Sequence, residues 1–186
     1  MIGIMSDSHD NLEAIAKAVE FFNREKVTLV LHAGDIISPF TTKEFKKLAA
    51  PLKLVYGNND GEKKGLEIAF KQMNADISEL NEVEHEGKKI ALYHGTVTVL
   101  LSSLISSGEY DVVVRGHSHT SEIKREGKTL VINPGECCGY LTGRQTVALL
   151  DLATMQATIH QLNITKPEND SSRGENKETG SGTEAH

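Results

Sequence analysis

The sequence predicts an α/β domain in which two packed β-sheets are flanked by helices. Three observations carry this expectation. Apolar strands alternate with amphipathic helices through the first half, strand patterns fill the last third, and the 186 residues are 38% hydrophobic. A chain of that length and composition can build one core without covalent staples.

The elements follow in order. Residues 1–5 read as a short apolar strand interrupted only by Gly3. Asp10 stands three residues before Glu13, the spacing of a capping box, and Leu12, Ile15, Ala16, Val19 and Phe22 form one helical face. Residues 27–32 are a second strand, and Ser38-Pro39 is the signature of a helix start, leading into a helix over 40–48. The third strand, 52–56, runs into Gly57-Asn58-Asn59-Asp60. Asp60-Gly61 is a hairpin signal, but Leu66, Ala69, Phe70 and Met73 then recur at helical spacing. The segment is therefore a strand-to-helix junction.

Glu86-Gly87-Lys88 lies between two extended stretches and reads as a hairpin turn, its second strand (90–93) ending at His94. Val97, Leu100, Leu101, Leu104 and Ile105 predict a helix, and 111–114 a strand that stops before Gly116. Extended segments with turns at Glu126-Gly127-Lys128 and Asn133-Pro134-Gly135 follow. A final pair, 146–152 and 156–162, turns through Ala153-Thr154. The folded domain is expected over 1–165. Residues 166–186, rich in Glu, Asn, Ser, Gly and Thr, have too few apolar side chains to offset ordering and are expected to be disordered.

Composition narrows the function classes. The formal net charge is −6, without the basic stripe of a nucleic-acid surface. No apolar run approaches the roughly 20 residues that span a bilayer, so no membrane partner is expected. The N-terminus enters a strand pattern without a basic leader. Cys137 and Cys138 are adjacent and lack a distant partner, which excludes a disulfide framework, suits a reducing cytoplasm and leaves both as packing residues. A phosphate-bearing substrate would need its positive charge from metal ions.

The polar residues have a common position. Asp7 and His9 follow the first strand, Asp35 the second, Asn58 the third, His94 the strand 90–93, and His117 and His119 the strand 111–114. Strand C-terminal ends share an edge in an open α/β sheet, where ligands bind. Taken singly, each residue also fits a cap or a turn; their ordered conjunction does not. His32, His85, His160 and His186 lack such company and read as structural or surface residues. Two Asp, one Asn and four His, without a thiolate, suit Mn²⁺, Fe²⁺, Zn²⁺, Ni²⁺ or Co²⁺, and Mg²⁺ less well. Seven side chains exceed one open site. A carboxylate shared between two ions about 3.5–4 Å apart would use them all.

SDSHDN, HAGD, YGNND, LYHG, RGHSH and VINPGECCGYLTG together resemble the calcineurin-like metallophosphoesterase superfamily, in particular its small single-domain archaeal and bacterial phosphodiesterases. The similarity runs from Met1 to about Leu162. It implies a four-layer αββα sandwich of two mixed sheets and a dinuclear centre, with Mn²⁺ the first expectation. By motif, Asp7, His9 and His119 would hold one ion, Asn58, His94 and His117 the other, with Asp35 bridging. The implied reaction is hydrolysis of a small phosphodiester by in-line attack of a metal-bound hydroxide; a homo-oligomer is compatible with it.

One departure bears on chemistry. Many superfamily members carry His where this chain has Asn59, and that His protonates the leaving oxygen. Asn59 can donate a hydrogen bond but is no general acid, while Asp60 is expected to orient a ligand. Activated or aryl diesters are therefore the expected substrates. The alternatives are a phosphomonoesterase or cyclic-nucleotide phosphodiesterase with the same centre, and a protein-binding scaffold like the relative in the retromer coat. A dinucleotide-binding reading falls because no Gly-x-Gly-x-x-Gly turn follows the first strand. Arg115 and Arg144 lie in or near the motifs, as candidate substrate contacts or as plain surface charge.

Overall fold

The computed structural model describes residues 1–162, in which strands and helices alternate up to the middle of the chain and strands then dominate. The elements are β1 (Ile2–Met5), α1 (Leu12–Arg24), β2 (Leu29–His32), a 3-10 turn (Pro39–Thr41) running into α2 (Thr42–Phe45), β3 (Leu52–Val55), α3 (Lys63–Lys71) and β4 (Ile77–Ser78). They continue with β5 (Leu80–His85), β6 (Lys88–Tyr93), α4 (Thr98–Ser106), β7 (Val112–Val114), β8 (Glu122–Glu126), β9 (Thr129–Asn133), β10 (Thr146–Asp151) and β11 (Gln156–Gln161).

Two mixed sheets result. One has the order β11-β10-β1-β2-β3-β4 and the other β5-β6-β7-β9-β8. Strands β1 to β4 run parallel, as do β6, β7 and β9, while β10 and β8 join antiparallel. The period of two along each strand sorts side chains between layers. Ile2, Ile4, Leu29 and Leu31 face Ile90, Leu92, Val112, Val114 and Ile132 in the core between the sheets. Val30, Leu54, Val147 and Leu149 point the other way, toward Ala14, Ile15, Phe22, Phe45, Leu66 and Phe70 of the helical layer. On the far side Ala91, Tyr93, Val113 and Val131 pack with Leu104 and Ile105 of α4. This is the expected αββα sandwich. Burial on both faces explains why the central strands are near-continuous apolar runs rather than alternating ones.

Three local expectations are corrected. The cap of α1 is Asn11, whose side chain accepts from the Ala14 amide; Asp10 instead accepts from the Ser38 amide and hydroxyl. A tertiary contact took the residue that the capping-box spacing had assigned locally. Ser38 accordingly makes no side-chain cap, and the helix expected over 40–48 is a 3-10 turn followed by a single α-helical turn. The Thr41 and Thr42 hydroxyls bond back to the Ser38 and Pro39 carbonyls there, the local competition that makes Thr a weak helix former. Strand β4 is an addition at the edge of its sheet. The expected tail, 166–186, and the last residues of the expected domain lie outside the described residues.

Candidate metal centre

The parallel strands deliver all seven candidate side chains beyond their C-terminal ends, and backbone bonds tie the loops together there. The Asp7 amide donates to the Gly34 carbonyl, Gly116 to His94, and Cys137 to Ser6. Five of the seven candidates sit at positive φ: Asp7 (51°), His9 (41°), Asp35 (58°), His117 (69°) and His119 (58°). Non-glycine residues rarely adopt that region, and such strain collects at functional sites.

Asp7, His9, Asp35 and His119 each offer a donor atom, all within 4.8 Å of one another. His119 Nε2 lies 3.4 Å from Asp7 Oδ1, and His9 Nε2 3.9 Å from the same oxygen. Asp35 Oδ2 stands between the halves of the site, 3.5 Å from His9 Nε2 and 3.4 Å from His94 Nε2. His94 Nε2 is also 3.0 Å from Asn58 Oδ1, and its ring centroid is 5.2 Å from that of His117. Asn58 and His117 are exposed at the mouth, whereas Asp7, Asp35 and His94 are buried.

These residues fit divalent ions on two grounds. Asp7 Oδ1 and His9 Nε2 are buried without a hydrogen-bond partner, a costly state for polar atoms that a ligand relieves. The gaps of 3.4 to 3.9 Å are long for hydrogen bonds. They match donors facing a common ion, since metal–ligand bonds of about 2.1 Å leave neighbouring donors about 3 Å apart or somewhat more. The carboxyl of Asp35 is prepared for this role: burial would raise its pKa, but the nearby His94 imidazole and the bonds from Asn59 hold it well below the usual range.

The supporting residues explain the geometry. His94 Nδ1 meets the Ala33 carbonyl at 2.7 Å, so Nε2 is turned into the site. Asn59 donates its amide to Asp35 Oδ1 (2.9 Å) and its side-chain N–H to Oδ2 (2.7 Å), which makes it a clamp on Asp35. Asp60, 2% exposed, accepts from four backbone amides: Gly57 and Asp35 on one oxygen, Ile36 and Ile37 on the other. Gly57 is required by close approach. A Cβ there would collide with Asp35 Oδ1 and the Asp35 backbone nitrogen.

Two residues outside the sequence-derived set also belong to this machinery. Glu136, fully buried, meets His119 Nδ1 at 2.8 Å and accepts from the amides of Leu141 and Thr142 and the Thr142 hydroxyl. It lies within the VINPGECC motif, where an acid between Gly135 and two buried cysteines was the available signal. His32, read from sequence as structural, is buried with Nδ1 accepting from the Gly34 amide and Nε2 facing the Ser8 hydroxyl at 3.0 Å. Burial pushes its pKa down to about 4, so it is neutral and holds the loops after β1 and β2 together. Cys137 packs in the helical-side core. Cys138 Sγ lies within 4.8 Å of His9 and His119 donor atoms. Burial pushes its thiol up to about 12, and it donates to Glu136 at 3.3 Å.

Glu136 carries a pH signature. Burial would raise its carboxyl, but the bonds from His119, Thr142 and Leu141 outweigh this and hold it at about 2, against 4.5 unperturbed. A depressed carboxyl contributes stability above the unfolded value and loses it as pH falls. Urea unfolding between pH 4.5 and 2 is therefore expected to show a loss on the order of 3 kcal/mol from this group, absent in Glu136→Gln. Equal losses in both proteins would remove Glu136 from the account.

A two-sheet sandwich that gathers carboxylates and imidazoles at its strand ends is the frame of a known class of phosphoester hydrolases. The chain belongs to the calcineurin-like phosphoesterase superfamily, whose domain matches residues 1–155. Over 152 residues it is 47% identical to a phosphodiesterase of Methanocaldococcus jannaschii, covering 81% of this chain and 92% of that protein. A solved structure described as a novel archaeal phosphodiesterase superimposes with a TM-score of 0.84 at 45% identity, covering 87% of this chain and 99% of its own. The Vps29 structure from Chaetomium thermophilum shares the fold, with a TM-score of 0.65 at 17% identity over 86% of this chain and 93% of its own.

Proposed function

We propose that this chain is a metal-dependent phosphodiesterase. Asp7, His9 and His119 would hold one divalent ion, Asn58, His94 and His117 a second, with Asp35 bridging; Mn²⁺ is the first choice for this donor set. The observation that carries the reading is the position of Asp35 Oδ2, which faces His9 Nε2 and His94 Nε2 at nearly equal distance. The phosphodiesterase names of the relatives at 47% and 45% identity support the substrate class. When bound, the ions would supply positive charge for phosphoryl oxygens and a water-derived nucleophile for in-line attack on phosphorus.

The chain's own residues account for the rest. Asn59 and Asp60 act by positioning: Asn59 fixes the two oxygens of Asp35, and Asp60 fixes the loop that carries it. Neither is placed as a proton donor, so the leaving oxygen departs without help from an acid at position 59. Good leaving groups, aryl diesters above all, are therefore preferred. A reducing cytoplasm suits the two free, buried cysteines. Among the described residues, no helix is long and apolar enough to cross a membrane.

The test is hydrolysis of bis-p-nitrophenyl phosphate and of p-nitrophenyl phosphate by the Mn²⁺-loaded protein, with and without chelator. Chelator-sensitive turnover, with the diester at least about tenfold ahead in kcat/KM, about 1.4 kcal/mol, is expected. A faster monoester would favour the phosphomonoesterase reading. Absence of turnover with either would favour a protein-binding scaffold of the same fold.

A further inference from the structure

The two arginines that the motifs single out have different fates. Arg115 is engaged: its Nη2 bonds Glu122 Oε2 at 2.8 Å. Arg24 pairs with Glu25, and Arg125 donates to the Met155 carbonyl. Only the guanidinium of Arg144 has no hydrogen bond or ion pair with another side chain or carbonyl among the described residues; its recorded bonds are made by its backbone. It is exposed beside the centre, in a chain of net charge −6.

Arg144 lines a cavity of about 250 Å³ together with His119, Thr120, Ser121, Thr142 and Thr146. No carboxylate is among the lining residues. The Thr142 and Thr146 hydroxyls are turned to Glu136, and Thr120 donates to the Ser118 carbonyl. The guanidinium and the Ser121 hydroxyl thus remain as donors facing the cavity. Glu136 binds His119 on one side and the Leu141–Thr142 backbone on the other, so the cavity wall and the metal ligand form one braced unit. At 250 Å³ the space is smaller than the roughly 300 Å³ at which whole small-molecule sites begin. It suits one substituent of a larger substrate.

We propose that this cavity is an anion subsite adjoining the metal centre, in which Arg144 and Ser121 receive a second phosphate carried on one arm of the phosphodiester. This rests on the phosphodiesterase reading and names its substrate class: diesters with a further phosphate on an ester arm. Arg supplies a planar fork of donors that matches phosphate oxygens, and an exposed site makes the attraction salt-sensitive.

The probes are thymidine 5′-phosphate and thymidine 3′,5′-bisphosphate, titrated calorimetrically into the Mn²⁺-loaded chain. The second phosphate is expected to tighten binding by about tenfold in wild type, the size of one charged hydrogen bond. In Arg144→Ala the gain falls to roughly twofold or less, Arg144→Lys retains part of it, and added salt shrinks it. Reading the ratio within each protein cancels any general change in affinity. Equal affinities in wild type, or an undiminished gain in Arg144→Ala, would overturn the subsite. Turnover of thymidine 5′-(p-nitrophenyl phosphate) by the same preparation judges the parent reading separately. A binding gain without turnover sinks the hydrolase and keeps the subsite; turnover without a gain does the reverse.

Discussion

Asp35→Ala is expected to lower kcat/KM for bis-p-nitrophenyl phosphate by about a thousandfold or more, equivalent to about 4 kcal/mol of transition-state stabilisation. The size follows from how many partners this carboxylate serves. Its Oδ2 faces His9 Nε2 and His94 Nε2, and both oxygens accept from Asn59. Removing it takes the shared donor from both halves of the proposed centre and frees Asn59 from its clamped position. Asp35→Asn separates charge from shape. The amide keeps the volume but loses the negative charge, and it presents an NH₂ group to His94 or Asn59. We expect its rate to lie near that of the Ala variant. Both variants also lose hydrogen bonds from Asn59 to a buried carboxylate, so unfolding without metal is measured alongside to separate lost stability from lost catalysis. A rate within tenfold of wild type for Asp35→Ala would contradict the bridging role.

Asp60→Ala is expected to destabilise the fold by about 3–5 kcal/mol, read by urea unfolding at pH 7. Four backbone amides lose their acceptor at once, and three of them belong to a segment under strain. Asp35 (φ 58°) and Ile37 (φ 88°) both sit in the left-handed region, which is costly for a β-branched side chain such as Ile37. The Asp60 carboxylate holds the amides of Asp35, Ile36 and Ile37 in that conformation. Asp60→Asn should recover only part of the loss, because its NH₂ must face two of the N–H donors. Metal affinity is expected to fall alongside stability in both variants, as Asp35 loses its anchor. A surface-like effect below about 0.5 kcal/mol would show that the loop holds its shape without Asp60.

Much of this site was legible in the sequence because strand periodicity places side chains predictably. Once β1, β2, β3, β6 and β7 were recognised from their apolar runs, the polar residues just beyond them had to share an edge. That reasoning reached Asp7, His9, Asp35, Asn58, His94, His117 and His119, which the fold gathers at those strand ends. The bracing around them was less visible. Glu136 acts through His119 and the Leu141–Thr142 backbone, and nothing in local spacing signals a contact between residues 119 and 136. His32 was passed over because a His at a strand end reads as filler until Ser8 and Gly34 arrive from the neighbouring turns. Asp10 and Asn11 illustrate the limit at short range. Both are good caps, and the choice between them is decided by Ser38, far along the chain. The need for glycine at position 57 shows only in the fold, where Asp35 occupies the space that a Cβ would fill.

In the proposed centre one constellation holds two ions through a shared Asp35. Calorimetric titration of Mn²⁺ into metal-free protein tests it most directly, with wild type and Asp35→Ala compared under the same conditions. Two ions per chain are expected in wild type, and in the variant the loss of one site with weakening of the other. A single ion per chain in wild type, or two bound equally well without Asp35, would contradict it.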